Sequence, residues 1–243
     1  MPRLNALNAK APVGRRCRAA LILSFPSKCG ILLPVCEHMI ALLDYGSGNL
    51  RSVQKALLKV GADVQIITGP EGLKEARAAV LPGVGAFDDC ITAMQKQELL
   101  EGVKRFIRSG RPFLGICVGY QALFECSDEF NSCAAGLELF KGRVVRFREQ
   151  PGLKIPQIGW NQLEIVRPDC PLFHGVAERS YVYFVHSFFP KPQDESIIAT
   201  RTAYGESFAS SIWKDNVFAT QFHPEKSQAV GLKLLENFVA LAA

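Results

Sequence analysis

Phe113-Leu114-Gly115-Ile116-Cys117-Val118-Gly119-Tyr120-Gln121 decides the fold: a short apolar run enters a G-x-C-x-G turn, and a helical pattern follows through Ala122, Leu123 and Phe124. A buried strand that turns sharply into a helix is a nucleophile elbow, here with sulfur in place of hydroxyl. Glycines two residues to either side let the backbone turn without a side-chain clash, and the helix start aims its amides at the sulfur. A reactive thiol needs that setting, whereas a structural cysteine does not.

Upstream of the elbow the pattern alternates. Ile40 to Leu43 reads as a strand ending in Asp44, Tyr45, Gly46 and Gly48, and Leu50, Val53, Leu57 and Val60 then recur at helical spacing. Val64 to Ile67, Ala79 to Leu81 and Pro112 to Ile116 read as further strands, with helices predicted over Phe87 to Met94 and Val103 to Ile107. Such alternation predicts an α/β fold with a mostly parallel central sheet flanked by helices. After Gly136 the runs become short and β-rich (Val144 to Phe147, Gln162 to Val166, Val182 to Val185, Ser207 to Ile212 and Val217 to Phe222), and they predict antiparallel additions at the sheet's edge. A last helix, Val230 to Leu241, closes the domain.

The 243 residues suffice for one such domain. Residues 1–38 differ in texture, with four prolines and no sustained period, and are expected to be a disordered or non-native extension preceding a domain over 39–243. Their apolar stretch, Ala19 to Val35, is broken by Pro26, Lys28, Gly30 and Pro34, which argues against a membrane span. Six of the 28 basic residues and one of the 23 acidic ones lie in residues 1–38, which leaves 22 of each sign in the rest. A neutral body offers no nucleic-acid surface. Eight cysteines without a CxxC pair or an adjacent His cluster suggest reduced thiols in a cytoplasmic protein, with no metal site. Cys90, Cys126, Cys133 and Cys170 read as ordinary core or surface residues.

Two more stretches carry chemistry. Phe218-Ala219-Thr220-Gln221-Phe222-His223-Pro224-Glu225 delivers a histidine at the end of a β-rich run, with a carboxylate two residues on that can hold the imidazole. Leu81-Pro82-Gly83-Val84-Gly85-Ala86-Phe87 is a glycine-rich strand end that can aim an amide at a developing oxyanion. Gly46-Ser47-Gly48 is half of a dinucleotide fingerprint, but Arg51 stands where the third glycine belongs, so a surface turn is expected and no cofactor. His38, His174 and His186 read as polar strand ends or secondary contributors.

Taken in order, these stretches resemble the class I glutamine amidotransferases across residues 39–243. The similarity is to the glutaminase subunits of imidazole glycerol phosphate synthases in particular. It rests on Asp44 to Leu50, Pro82 to Phe87, Pro156 to Asn161, Tyr183 to Ser187 and Gln221 to Ser227. The resemblance implies hydrolysis of L-glutamine by Cys117, His223 and Glu225, with oxyanion donors from Val118 and the Val84–Gly85 region. It implies substrate contacts at Gln121, Ser187 and Phe188, the last standing where the family has tyrosine. It also implies a (β/α)8-barrel cyclase partner, in a heterodimer, reached through Asn49, Trp160, Tyr183 and Lys226. Three alternatives stay open at this level: the glutaminase of an anthranilate, guanylate or pyridoxal phosphate synthase, an α/β-hydrolase, or an idle module regulating a barrel.

Overall fold

The structure, a computed structural model, describes residues 39–46, 49–132 and 134–242. The expectations for residues 1–38, for the turn at Ser47 and Gly48, and for Cys133 lie outside the described residues.

Strands β1 (Met39–Leu43), β2 (Asp63–Ile67), β3 (Ala78–Leu81) and β4 (Phe113–Ile116) alternate with helices α1 (Leu50–Lys59), α2 (Phe87–Lys96) and α3 (Leu99–Arg108). After the elbow come α4 (Val118–Gln121), β5 (Cys126–Ser127) and β6 (Gly142–Arg146). Then follow β7 (Gln157–Gln162), β8 (Glu164–Ile165), β9 (Tyr181–His186), β10 (Phe188–Pro192), β11 (Ile198–Tyr204), β12 (Glu206–Lys214), β13 (Val217–Thr220) and α5 (Gln228–Ala240).

The main sheet has the order β2-β1-β3-β4-β13-β12-β11-β8. Its first five strands are parallel, and β12, β11 and β8 add on antiparallel. β1, β3, β4 and β13 are buried along their whole length, as strands covered on both faces must be. The chain leaves β1 toward β2 on one side and later leaves β3 toward β4 on the other. Right-handed crossovers therefore put α1 opposite α2 and α3, and α1 packs with α5. The order reverses between β1 and β3, and the loops beyond the carboxyl ends of β3, β4 and β13 carry residues that line one cleft.

Three expectations differ from the fold. Val217 to Phe222 does not make an edge strand: β13 lies inside the sheet, parallel to β4, where Val217, Phe218 and Ala219 are covered on both faces and the buried Thr220 hydroxyl is satisfied by the Phe222 carbonyl at 3.0 Å. Not every late strand joins the main sheet either, since β10-β6-β5 and β7-β9 form two small separate sheets. The helix after the elbow is also shorter than its pattern. Residues 122–124 leave it because their carbonyls accept from the amides of Leu137, Glu138 and Leu139, which compete with the next helical turn.

Candidate active site

Neighbouring parallel strands deliver the central side chains. β4 and β13 pair with Ile116 opposite Thr220, and the Cys117 amide donates to the Thr220 carbonyl at 2.7 Å, so residues 117 and 221 emerge side by side. Cys117 has φ 54° and ψ −106°, a backbone strained for a residue with a side chain. Its flanking glycines are obligatory. A Cβ on Gly115 would lie 2.7 Å from the Gly119 carbonyl oxygen, and one on Gly119 would lie 2.0 Å from that of Leu81.

His223 follows β13, its amide bonded to the Tyr183 carbonyl at 3.0 Å, and a 3-10 turn over Pro224–Lys226 brings Glu225 back to it. The His223 Nδ1–H donates to Glu225 Oε1 at 2.8 Å, with both side chains essentially unexposed. The same oxygen accepts from Asn49 Nδ2 at 2.5 Å. Burial on its own would lower the pKa of His223. The Cys117 sulfur, by charge and hydrogen bonding, and then Glu225 outweigh it and raise the group to about 10. His223 Nε2 is buried with no nitrogen or oxygen partner among the described residues, so it is the nitrogen left to exchange a proton with the sulfur. Ser227 ties the turn down, donating to the His223 carbonyl at 2.7 Å and accepting from the Tyr183 amide at 3.0 Å.

A cleft of about 370 Å³ opens over the sulfur. Val84, Gly85, Val118, Gln121, Ser187 and Phe188 line it together with Cys117 and His223. The Val118 amide donates to the Gly83 carbonyl at 3.4 Å, so the glycine loop turns a carbonyl toward the elbow. Gln121 Nε2 donates to the Phe188 carbonyl at 3.0 Å. Residue 188 thus contributes its backbone, which the absence of a tyrosine hydroxyl does not affect.

Asn49 is half-buried with its amide engaged by Glu225, a place beside the triad that its position in a turn did not reveal. Trp160 and Tyr183 stand opposite each other on the β7-β9 ribbon, rings edge to face at 6.0 Å, with Lys226 Nζ 5.9 Å from the Tyr183 ring centre. Trp160 is 45% exposed and Ile158 beside it 63%, an apolar pair facing outward near the cleft.

Other contributors were missed by the sequence reading or left there without a defined role. Glu129 lines the cleft and accepts from the Phe87 amide at the start of α2 at 2.8 Å. Its pKa is raised, by burial first and by Asp88 and Asp89, against the opposing Phe87 amide. Nothing in its local sequence marks it, because the loop that carries it has no periodic pattern. His186 is buried, with Nδ1 donating to the Phe188 carbonyl at 2.9 Å and Nε2 3.1 Å from the Gln157 amide oxygen. Burial, followed by the nearby His223 charge, holds its pKa down to about 3. Gln221 lies against Cys117 itself. Among the described residues no His, Cys, Asp and Glu cluster could hold a metal ion, and no helix is long and apolar enough to cross a membrane.

The family described as glutamine amidotransferase class-I matches residues 41–242. The imidazole glycerol phosphate synthase subunit HisH of Geobacter sulfurreducens is 52% identical over 204 residues, covering 82% of this chain and 97% of that protein. The subunit of the same name from Syntrophotalea carbinolica is 49% identical over 205 residues, covering 82% and 98%. Among solved structures, PurLQS from Thermotoga maritima superposes with a TM-score of 0.66 at 18% identity, covering 83% of this chain and 97% of that one, a likeness of fold.

Proposed function

The chain belongs to the class I glutamine amidotransferases, and from that membership we propose how its residues divide the work of releasing ammonia from glutamine. It is a glutaminase subunit of imidazole glycerol phosphate synthase and acts in histidine biosynthesis. The observation that supports the division best is the strained Cys117 beside the buried His223–Glu225 pair.

Cys117 Sγ attacks the side-chain carbonyl carbon of glutamine while His223 holds the thiol's proton. The tetrahedral oxyanion needs donors, and the Val118 amide supplies one once the Gly83 carbonyl leaves it. Rotation of the Gly83–Val84 peptide removes that carbonyl and presents the Val84 amide in its place, with the Gly85 amide adjacent; Gly85, at φ 105°, gives the loop freedom to turn. Collapse of the intermediate breaks the C–N bond, and His223 protonates the departing ammonia. Water then attacks the thioester with His223 as base, and glutamate leaves. Glu225 orients the imidazole and stabilises its charged form, and Asn49 steadies Glu225.

The substrate's α-ammonium calls for an anion in the cleft, and Glu129 is the carboxylate placed there. Ser187 and the Gln121–Phe188 pair position the rest of the amino acid. The ribbon bearing Trp160 and Tyr183, with Lys226, receives the cyclase partner, a (β/α)8 barrel. The heterodimer works in the cytoplasm, without nucleic acid or membrane. The domain proper begins at Met39. An α/β-hydrolase reading fits less well, since such enzymes place the acid well before the histidine.

The test is glutamate release by the chain alone, with its cyclase partner, and with partner plus the ribonucleotide substrate. Rates are expected to rise sharply in the last case. Cys117→Ala should abolish glutamine-dependent synthesis while added ammonia still supports it. Wild-type glutamine turnover in Cys117→Ala would refute the assignment.

A further inference from the structure

We infer that Gln221 is a catalytic residue of this site, donating its Nε2–H to the Cys117 sulfur and holding negative charge there for attack. The inference rests on Cys117 being the nucleophile. Gln221 is completely buried, and its Nε2 lies 3.6 Å from Cys117 Sγ, within reach of a sulfur hydrogen bond.

Neighbouring groups force that orientation. The Phe188 carbonyl can only accept, so Gln121 must turn its NH2 group toward it, at 3.0 Å. The same NH2 donates to Gln221 Oε1 at 3.3 Å, which fixes the Gln221 oxygen on that side and leaves its nitrogen facing the sulfur. The main chain is fixed as well, since the Gln221 amide donates to the Ser210 carbonyl at 2.9 Å and β13 pairs with β4 up to Thr220. A neutral amide donor beside a sulfur favours the anion without adding a charge that would capture the proton meant for ammonia. His223 therefore keeps the proton chemistry, and Gln221 supplies static stabilisation from a second direction.

The relay also begins at a residue in the substrate cleft. Phe188 lines the cleft, its carbonyl takes the Gln121 donor, and Gln121 orients Gln221. A substrate that moves the Phe188 carbonyl thus changes the donor on the sulfur.

The experiment is alkylation of the full chain by iodoacetamide, followed at the Cys117 peptide by mass spectrometry, in wild type, Gln221→Met and Gln221→Leu. Methionine has similar length and leucine similar branching, and neither has an N–H or a charge. The titratable groups around the sulfur, namely His223, Glu225, His186, Glu129 and Lys226, remain in both variants. Burial pushes the Cys90 thiol up to about 12 and the Cys170 thiol up to about 11, so both should be slow internal references. Near neutral pH both variants should alkylate Cys117 about tenfold more slowly than wild type, with the deficit shrinking in alkaline solution as base replaces the missing donor. Equal rates at neutral pH, or a deficit constant across the pH range, would overturn the donor role. If Gln221→Met does not give a native circular dichroism spectrum, Gln221→Leu decides by the same two criteria. Wild-type Cys117 reacting no faster than Cys90 would instead overturn the nucleophile assignment, and the donor role with it.

Discussion

The backbone amide of Val118 donates to the carbonyl of Gly83 across 3.4 Å, so one of the two peptides best placed to receive an oxyanion is satisfied from within the chain. Activation then requires the Gly83–Val84 peptide to rotate, and a partner can drive this only by binding the rotated state better. Val84→Pro removes the amide that rotation would present. Partner-stimulated glutamate release should fall about 100-fold in this variant, the scale of losing one oxyanion donor, with ammonia-driven synthesis retained. Proline at 84 is a cleaner probe than at 85, whose φ of 105° no proline can adopt.

Asn49 and His223 share one oxygen of Glu225. Asn49→Ala removes a donor to a buried carboxylate without touching the cleft, so kcat should drop by up to about tenfold while KM stays within roughly twofold. Steady-state kinetics of the complex would separate this from a pure interface role, which would instead weaken partner affinity.

Trp160→Ala tests the ribbon. Loss of an exposed aromatic packed edge to face on Tyr183 should weaken partner binding about tenfold or more, the loss expected of an aromatic anchor, as measured by calorimetry. Glutamine hydrolysis by the isolated chain should not change.

His186 makes stability depend on acid. Its pKa lies below the ordinary histidine value when folded, so its contribution is present above about pH 6.5 and is lost as pH falls toward 3. The native state must exclude a proton that the unfolded chain accepts, which costs at most about 1.4 kcal/mol per pH unit in that window. His186→Asn should flatten the difference between urea midpoints at neutral pH and near pH 4.5, even if it is less stable at neutral pH. Parallel declines in both proteins would refute this.

A chain beginning at Met39 should fold and hydrolyse glutamine, whereas one beginning inside β1 should not. Met39 is already 4% exposed, faces Asp63 in the sheet and accepts from the Arg77 amide. Expression and glutamate release of the two truncations provide the check.

The elbow, the alternating strands and the His223–Glu225 spacing were legible because each is a local constraint: a turn that admits only glycine, a period, a two-residue reach. The centrality of β13 was legible in principle, since Val217 to Ala219 is wholly apolar, but so short a run does not state its neighbours. Glu129 was not legible as a site residue, and His186 and Gln221 were legible only as members of longer stretches, without their roles. Their importance arises from distant partners, namely the start of α2, the Phe188 carbonyl and the Cys117 sulfur, and no spacing along the chain encodes such meetings. Asn49 shows the same limit, being 176 positions from the carboxylate it touches.

The pairing of β4 with β13 carries one more consequence. Sulfur, amide donor and base all hang from the ends of two adjacent strands in the middle of the sheet, so their spacing is governed by the most cooperative part of the molecule. Heat cannot loosen this arrangement gradually. Catalysis and the central ladder should disappear at one temperature, which makes turnover a faithful thermometer of the whole fold.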